Sequence, residues 1–128
     1  MLSEDAVELL VSVDISPPFK NLPSILSDAV KVAEIVFKQY PKLVELHNYN
    51  KTSNTSQKLD NWETLNRKVL SRLRAPLPMD ACEALVLRRD GRALPGFLAN
   101  LAARLRAHRP LYRAEAKRVQ EQQAARDA

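Results

Sequence analysis

Apolar residues recur along this chain at helical spacing, in blocks separated by prolines and polar runs. Ser3 is placed to cap a first helix, with Glu4 and Asp5 in its first turn, where carboxylates suit the dipole. Ala6, Val7, Leu9, Leu10 and Val13 supply its apolar side, and Pro17-Pro18 end it. Phe19, Leu22, Ile25 and Leu26 then recur in a linker expected to lie on the core. A second helix is predicted from Ser27 or Asp28, with Ala29, Ala33, Val36, Phe37 and Tyr40 on one face and Val30 and Val32 widening it. Lys31, Glu34 and Lys38 fall on the opposite face. Pro41 stops this helix, and Leu43, Val44 and Leu46 suggest one short turn after it.

Residues 47–58 have loop chemistry, because Asn, Ser and Thr side chains compete for backbone hydrogen bonds. Asp60 or Asn61 is expected to cap a third helix. Its stripe of Trp62, Leu65, Val69 and Leu73 is the strongest helical signal in the chain, and Leu70 broadens it. Pro76 and Pro78 make a second break. Asp80 starts a helix through Ala81, Ala84, Leu85 and Leu87 to Arg88-Arg89, and Asp90-Gly91 turns the chain. Leu94, Phe97, Leu98, Leu101 and Leu105 form the last core helix, with Pro95 in its first turn. Pro110 is expected to break this run, leaving residues 109–128 as a charged tail or linker. The class is all-α. The expected core includes Phe37, Tyr40, Trp62, Leu65, Val69, Leu73, Phe97 and Leu101.

Composition narrows the function. The chain has 128 residues, one domain's worth, and only two glycines, which speaks against nucleotide-binding loops and against extensive left-handed turns. Cys82 is the sole cysteine, so no intrachain disulfide can form; it reads as a small core residue. No apolar run is long enough to span a membrane, and the acidic N-terminus is unlike a signal peptide. The net charge of +5 is polarised: residues 1–64 carry −3 and residues 65–128 carry +8. Such a domain is steered toward an acidic polymer.

No enzyme chemistry is visible. His47 and His108 stand apart, without a cluster of metal-ligand spacing, so neither a metal nor a cofactor is expected. No serine sits in a nucleophile elbow, and no carboxylate pair is marked as an acid–base couple. Trp62 reads as core from its stripe, whereas Tyr49, in a polar loop, is open between core and surface. The basic residues Arg67, Lys68, Arg72, Arg74, Arg88, Arg89 and Arg92 cluster at the ends of consecutive helices. Nucleic acid is disfavoured as the partner, since stacking platforms are lacking and the link between the second and third helices is too long for a helix-turn-helix.

The blocks Ser27-Asp28, Val32-Ala33-Glu34, Tyr40-Pro41-Lys42, His47-Asn48-Tyr49, Asn61-Trp62 and Leu65-Asn66-Arg67-Lys68-Val69-Leu70 closely resemble the calponin-homology domain of the sperm flagellar microtubule-associated family, also called CLAMP. The resemblance covers about residues 4 to 107 and implies a single calponin-homology domain over residues 1–108. That fold is a compact bundle of four main helices with short connecting helices. Two departures stand out. Ala29 replaces the family's glycine, a change a helix would welcome since Ala is the better helix former. Leu9 and Leu10 stand where the first family helix carries a tryptophan.

The family further implies microtubule binding, with bundling, in the cytoplasmic cytoskeleton of a cilium or flagellum, at the axoneme. Tubulin and other axonemal proteins are the implied partners. A monomeric fragment is expected, within a parent that dimerises through a coiled coil. With the charge split, the helix faces select Lys31, Lys38, Lys42, Lys68, Arg72, Arg88 and Arg89 as lattice contacts. The alternatives are a protein-interaction module that positions a flagellar partner without touching tubulin, and actin binding, which usually takes a tandem pair of such domains.

Overall fold

A computed structural model describes the backbone of residues 1–127 and the side chains of residues 1–108 together with Arg118 and Glu121. The described residues are all-α. Helices α1 (Glu4–Ser12), α2 (Leu22–Leu26), α3 (Val30–Gln39), α4 (Thr55–Leu65), α5 (Met79–Arg88) and α6 (Leu94–Asp127) follow one another. Two 3₁₀ turns, Pro41–Leu43 and Leu46–Asn48, lie between α3 and α4, and a π turn, Asn66–Leu70, prolongs α4. Helix α1 packs on α6 and α3, α4 on α5, and α2 on both α3 and α5.

Local chemistry explains the boundaries. The Ser3 hydroxyl accepts the Ala6 N–H at 3.2 Å, so α1 starts where the sequence predicts. The third predicted helix starts earlier than expected. Asn54, not Asp60 or Asn61, is its cap, accepting the Gln57 N–H at 2.9 Å. The first turn, Thr55–Lys58, has no apolar stripe, so periodicity alone missed it. Asn61 serves another purpose: it is buried, and its amide donates to the Asp28 and Asn50 carbonyls at 3.0 and 3.1 Å.

Ala29 is not a helical residue. It precedes α3 in the left-handed region, with φ of 66°. The argument from helix propensity therefore fails at this position, where glycine would avoid the clash of Cβ with backbone. Asp14, Phe19, Asn21, Arg74 and Arg89 also have positive φ, while neither glycine does. The scarcity of glycine thus did not signal a chain without left-handed turns.

The core is continuous from α1 to α6. Of the expected members, Tyr40, Trp62, Leu65, Val69, Leu73, Phe97 and Leu101 are buried. Phe37 is only partly buried, packed on the edge of the cluster, because Ile35 and Val36 take the inward positions of α3. Leu87, expected on the inner side of α5, points outward and is 56% exposed, and Cys82 and Leu85 bury instead. In the linker, Leu22 and Leu26 are buried while Ile25 is exposed. Helix α6 continues through Pro110 to Asp127. The proline removes one helical N–H at a cost of about 3 kcal/mol, against strong helix formers on both sides.

Candidate functional site

The residue blocks that carry the family resemblance build the fold. The Trp62 indole N–H donates to the Ser27 carbonyl at 3.0 Å, beside the Asn61 amide on Asp28. The Asp28 carboxylate in turn accepts the Val30 and Thr52 N–H groups at 3.1 and 3.4 Å. The Tyr40 hydroxyl donates to the Leu105 carbonyl at 2.6 Å. These bonds lock the α2–α3 turn, the polar loop, α4 and α6 together. Every one satisfies a buried or half-buried polar group, and none points at a ligand.

The seven predicted contacts separate into three places. Lys31 and Lys38 reach the open C-terminal end of α1. The Lys31 ammonium donates to the Val13 carbonyl at 3.0 Å and lies 3.3 Å from Glu34, while Lys38 donates to the Ser12 carbonyl. Cations at a helix C-terminus satisfy orphan carbonyls and complement the dipole. Both lysines therefore have a structural task. Arg88 lines a shallow recess with Asp80, Asp90 and Arg92, a mixed-charge neighbourhood, and Arg89 closes α5 in the left-handed conformation. There the Arg92 backbone N–H, foremost, and its guanidinium hold the Asp90 carboxyl below its ordinary range.

Lys42, Lys68 and Arg72 come together. With Arg67 they surround a cleft of about 410 Å³ between the 3₁₀ turns and the π turn, floored by Leu43, Tyr49 and Val69. Glu45 is its one acidic lining residue. Tyr49, left open by the sequence, is buried, and that burial raises its hydroxyl's pKa against the opposing pull of Arg67. Among the described residues, none of Lys42, Arg67, Lys68 and Arg72 forms an ion pair within the protein.

Arg67 lines this cleft although it is not among the seven predicted contacts. The π turn brings it in. The Ser71 N–H bonds to the Asn66 carbonyl at 2.9 Å, five residues back, so the turn is wider than an α turn and positions 67 and 72 approach one face. Asn66 stands at the start of the distortion. Its side-chain amide donates to the Leu77 carbonyl at 2.8 Å and accepts the Leu77 N–H at 3.0 Å. An asparagine within a helical stripe was the sequence signal available for it.

Cys82 carries no chemistry of its own. It is buried, and burial raises its thiol pKa to about 11. Among the described residues no group of His, Cys, Asp and Glu is arranged to hold a metal ion, and no helix is long and apolar enough to cross a membrane.

Comparison with known proteins adds a family. Residues 7–102 match the model of a CH-like domain in sperm protein. The chain is 45% identical over 75 residues to sperm flagellar protein 1 of Xenopus laevis, which covers 59% of the chain and 33% of that relative. It is 41% identical over 87 residues to the Homo sapiens protein of the same name, covering 68% of the chain and 35% of the relative. It thus spans about a third of the length of these relatives.

Proposed function

The chain belongs to the family of CH-like domains found in sperm proteins, and from that premise we propose that it docks on the microtubule lattice of a flagellum through its basic cleft. Family identity and the lack of catalytic motifs support a non-enzymatic, cytoskeletal domain. The observation that carries the finer reading is the cleft itself. Lys42, Arg67, Lys68 and Arg72 are exposed, gathered on one face and, among the described residues, without an ion-pair partner. Their charge is free to meet an acidic surface, and the acidic microtubule lattice is one. Each exposed pair contributes no more than about 1 kcal/mol, so binding sums over several contacts and fades with salt.

Co-sedimentation with stabilised microtubules across a salt series tests this. Saturable pelleting that fades with salt, and that falls in a Lys68→Glu, Arg72→Glu double variant of unchanged fold, supports the reading. Equal pelleting of the double variant and the parent refutes the cleft's role.

A further inference from the structure

We infer that the basic cleft is one half of a longer track that takes an extended, glutamate-rich polypeptide segment. The inference deepens, and rests on, the reading of this face as a docking surface. Its new element is a second recess of about 310 Å³, lined by Arg72, Leu73, Arg74, Arg104, Ala107 and His108. Arg72 lines both recesses, so the two run into each other across one side chain. The second recess has no acidic lining residue. Together they present Lys42, Arg67, Lys68, Arg72, Arg74 and Arg104, all exposed, against a single carboxylate, Glu45.

What sets these six cations apart is that they lie together along two joined recesses; four other cations of the described chain are engaged within the fold. Lys31, Arg92 and Arg106 are each paired with a carboxylate, and Lys38 is held on a backbone carbonyl. Among the described residues, none of the six makes an ion pair or a side-chain hydrogen bond inside the domain. A row of solvated cations of this length sets up a positive field that attracts anions in series. Recesses of about 410 and 310 Å³ have room for individual side chains of a bound segment. An extended strand supplies carboxylates at a regular rise and leaves them free to enter successive recesses. Leu43, Val69 and Leu73 line the track between the charges, which also suits a polypeptide with methylene-bearing glutamates.

A single-stranded nucleic acid would offer the same charge but asks for exposed rings on which bases stack. Of the rings lining the two recesses, Tyr49 is buried and the half-exposed His108 is the one other among the described residues, short of the series of platforms that stacked bases need. The polypeptide is therefore the better fit.

Fluorescence anisotropy of a labelled oligoglutamate titrated with the full chain tests the track, with an oligothymidylate of equal charge as the rival probe. Saturable oligoglutamate binding, weakened at least about tenfold by Arg72→Glu and by Arg104→Glu separately but less than about twofold by Arg92→Glu, is expected. The two recesses are thereby tested independently, and thermal melting of each variant checks the fold. Failure of oligoglutamate to bind, indifference to both substitutions, or equal or tighter binding of the oligothymidylate would overturn the inference. Microtubule pelleting in the same buffer separates the two readings. Pelleting without oligoglutamate binding removes the track alone, whereas oligoglutamate binding without pelleting removes the lattice reading and leaves the track.

Discussion

Asn66 and Leu77 form a two-way amide clasp, the side chain of one satisfying both the N–H and the carbonyl of the other at 3.0 and 2.8 Å. Leu77 is buried and Asn66 half-buried, so water has restricted access to either bond. The clasp ties the α4 extension to the segment entering α5 and accompanies the wide turn that gathers Arg67, Lys68 and Arg72. Sequence, local distortion and candidate site are joined at one residue.

Asn66→Leu keeps the branching and the number of side-chain heavy atoms and removes both bonds. Each buried backbone group left unpaired costs about 1–3 kcal/mol. The Leu77 N–H is left unpaired while its carbonyl keeps the Cys82 S–H at 3.3 Å, so the variant should lose about 1–3 kcal/mol in urea denaturation. It should also weaken microtubule pelleting under conditions where it is still folded, because the π turn no longer has its anchor. A loss below about 1 kcal/mol would show that water or relaxation replaces the clasp.

The basic residues should divide by task. Lys31→Met and Lys38→Met each remove a cation from the C-terminal end of α1 and should cost about 0.5–1.5 kcal/mol in thermal or chemical unfolding. Lys68→Glu and Arg72→Glu lie on an exposed face and should stay within about 0.5 kcal/mol of the parent. Binding should show the reverse order, with the cleft variants losing pelleting and the two methionine variants keeping it. Equal losses from both pairs would mean that the whole rim contacts the partner.

Much of this is legible in the sequence. The stripe from Trp62 to Leu73 and the run from Leu94 to Leu105 are long, periodic and buried as expected, because packing rewards one face of a helix. What escaped was whatever depends on a side chain bonding to distant backbone. Periodicity assigns Lys31 and Lys38 to the polar face of α3, yet only the fold brings the end of α1 beneath them. It also treats residues 66 to 73 as an α-helix, and the π turn changes which cations are neighbours. Asn54 capping a polar first turn left no apolar trace to read.

The two glycines should respond oppositely to alanine. A Cβ on Gly91 would stand 2.8 Å from Pro23 Cγ and 3.0 Å from Leu94 Cδ1. Gly91 thus lets α2 approach the turn before α6. Gly91→Ala should destabilise by about 1–3 kcal/mol through forced displacement. A Cβ on Gly96 meets nothing within 4 Å, and its site is helical. Gly96→Ala should stabilise by about 0.5–1 kcal/mol. Chemical denaturation of both variants measures the difference directly.

Ala29 offers a sharper test of backbone strain. Its φ of 66° disfavours any Cβ, but its methyl is fully buried. Ala29→Gly relieves about 1–2 kcal/mol of steric cost, loses about 0.8 kcal/mol of methyl burial and adds freedom to the unfolded chain. These nearly cancel, so the variant should unfold within about 1 kcal/mol of the parent. Ala29→Val adds a β-branch and extra volume at the same backbone conformation and should cost about 3 kcal/mol or more. A mild valine variant would contradict the left-handed assignment.

Cys82 should make the domain sensitive to alkali. Burial raises its folded pKa to about 11 from an ordinary value of 9.0, so the folded state keeps a proton that the unfolded state releases. Where the native state binds more protons, stability falls as pH rises. The thiol contributes fully below pH 9, and its contribution declines through the interval up to about 11, by at most about 1.4 kcal/mol per pH unit. Tyr49, also raised by burial, adds a loss of the same sign at higher pH. The Cys82→Ala variant isolates the thiol: its unfolding free energy should be lower near neutrality from lost packing, yet fall less steeply than the parent's between pH 9 and 11. Thiol alkylation gives a second readout, because a protonated, buried sulfur should react at pH 8 only as the chain unfolds. Fast alkylation of the folded protein at that pH, or parallel stability curves for the two proteins, would place Cys82 outside the dry core.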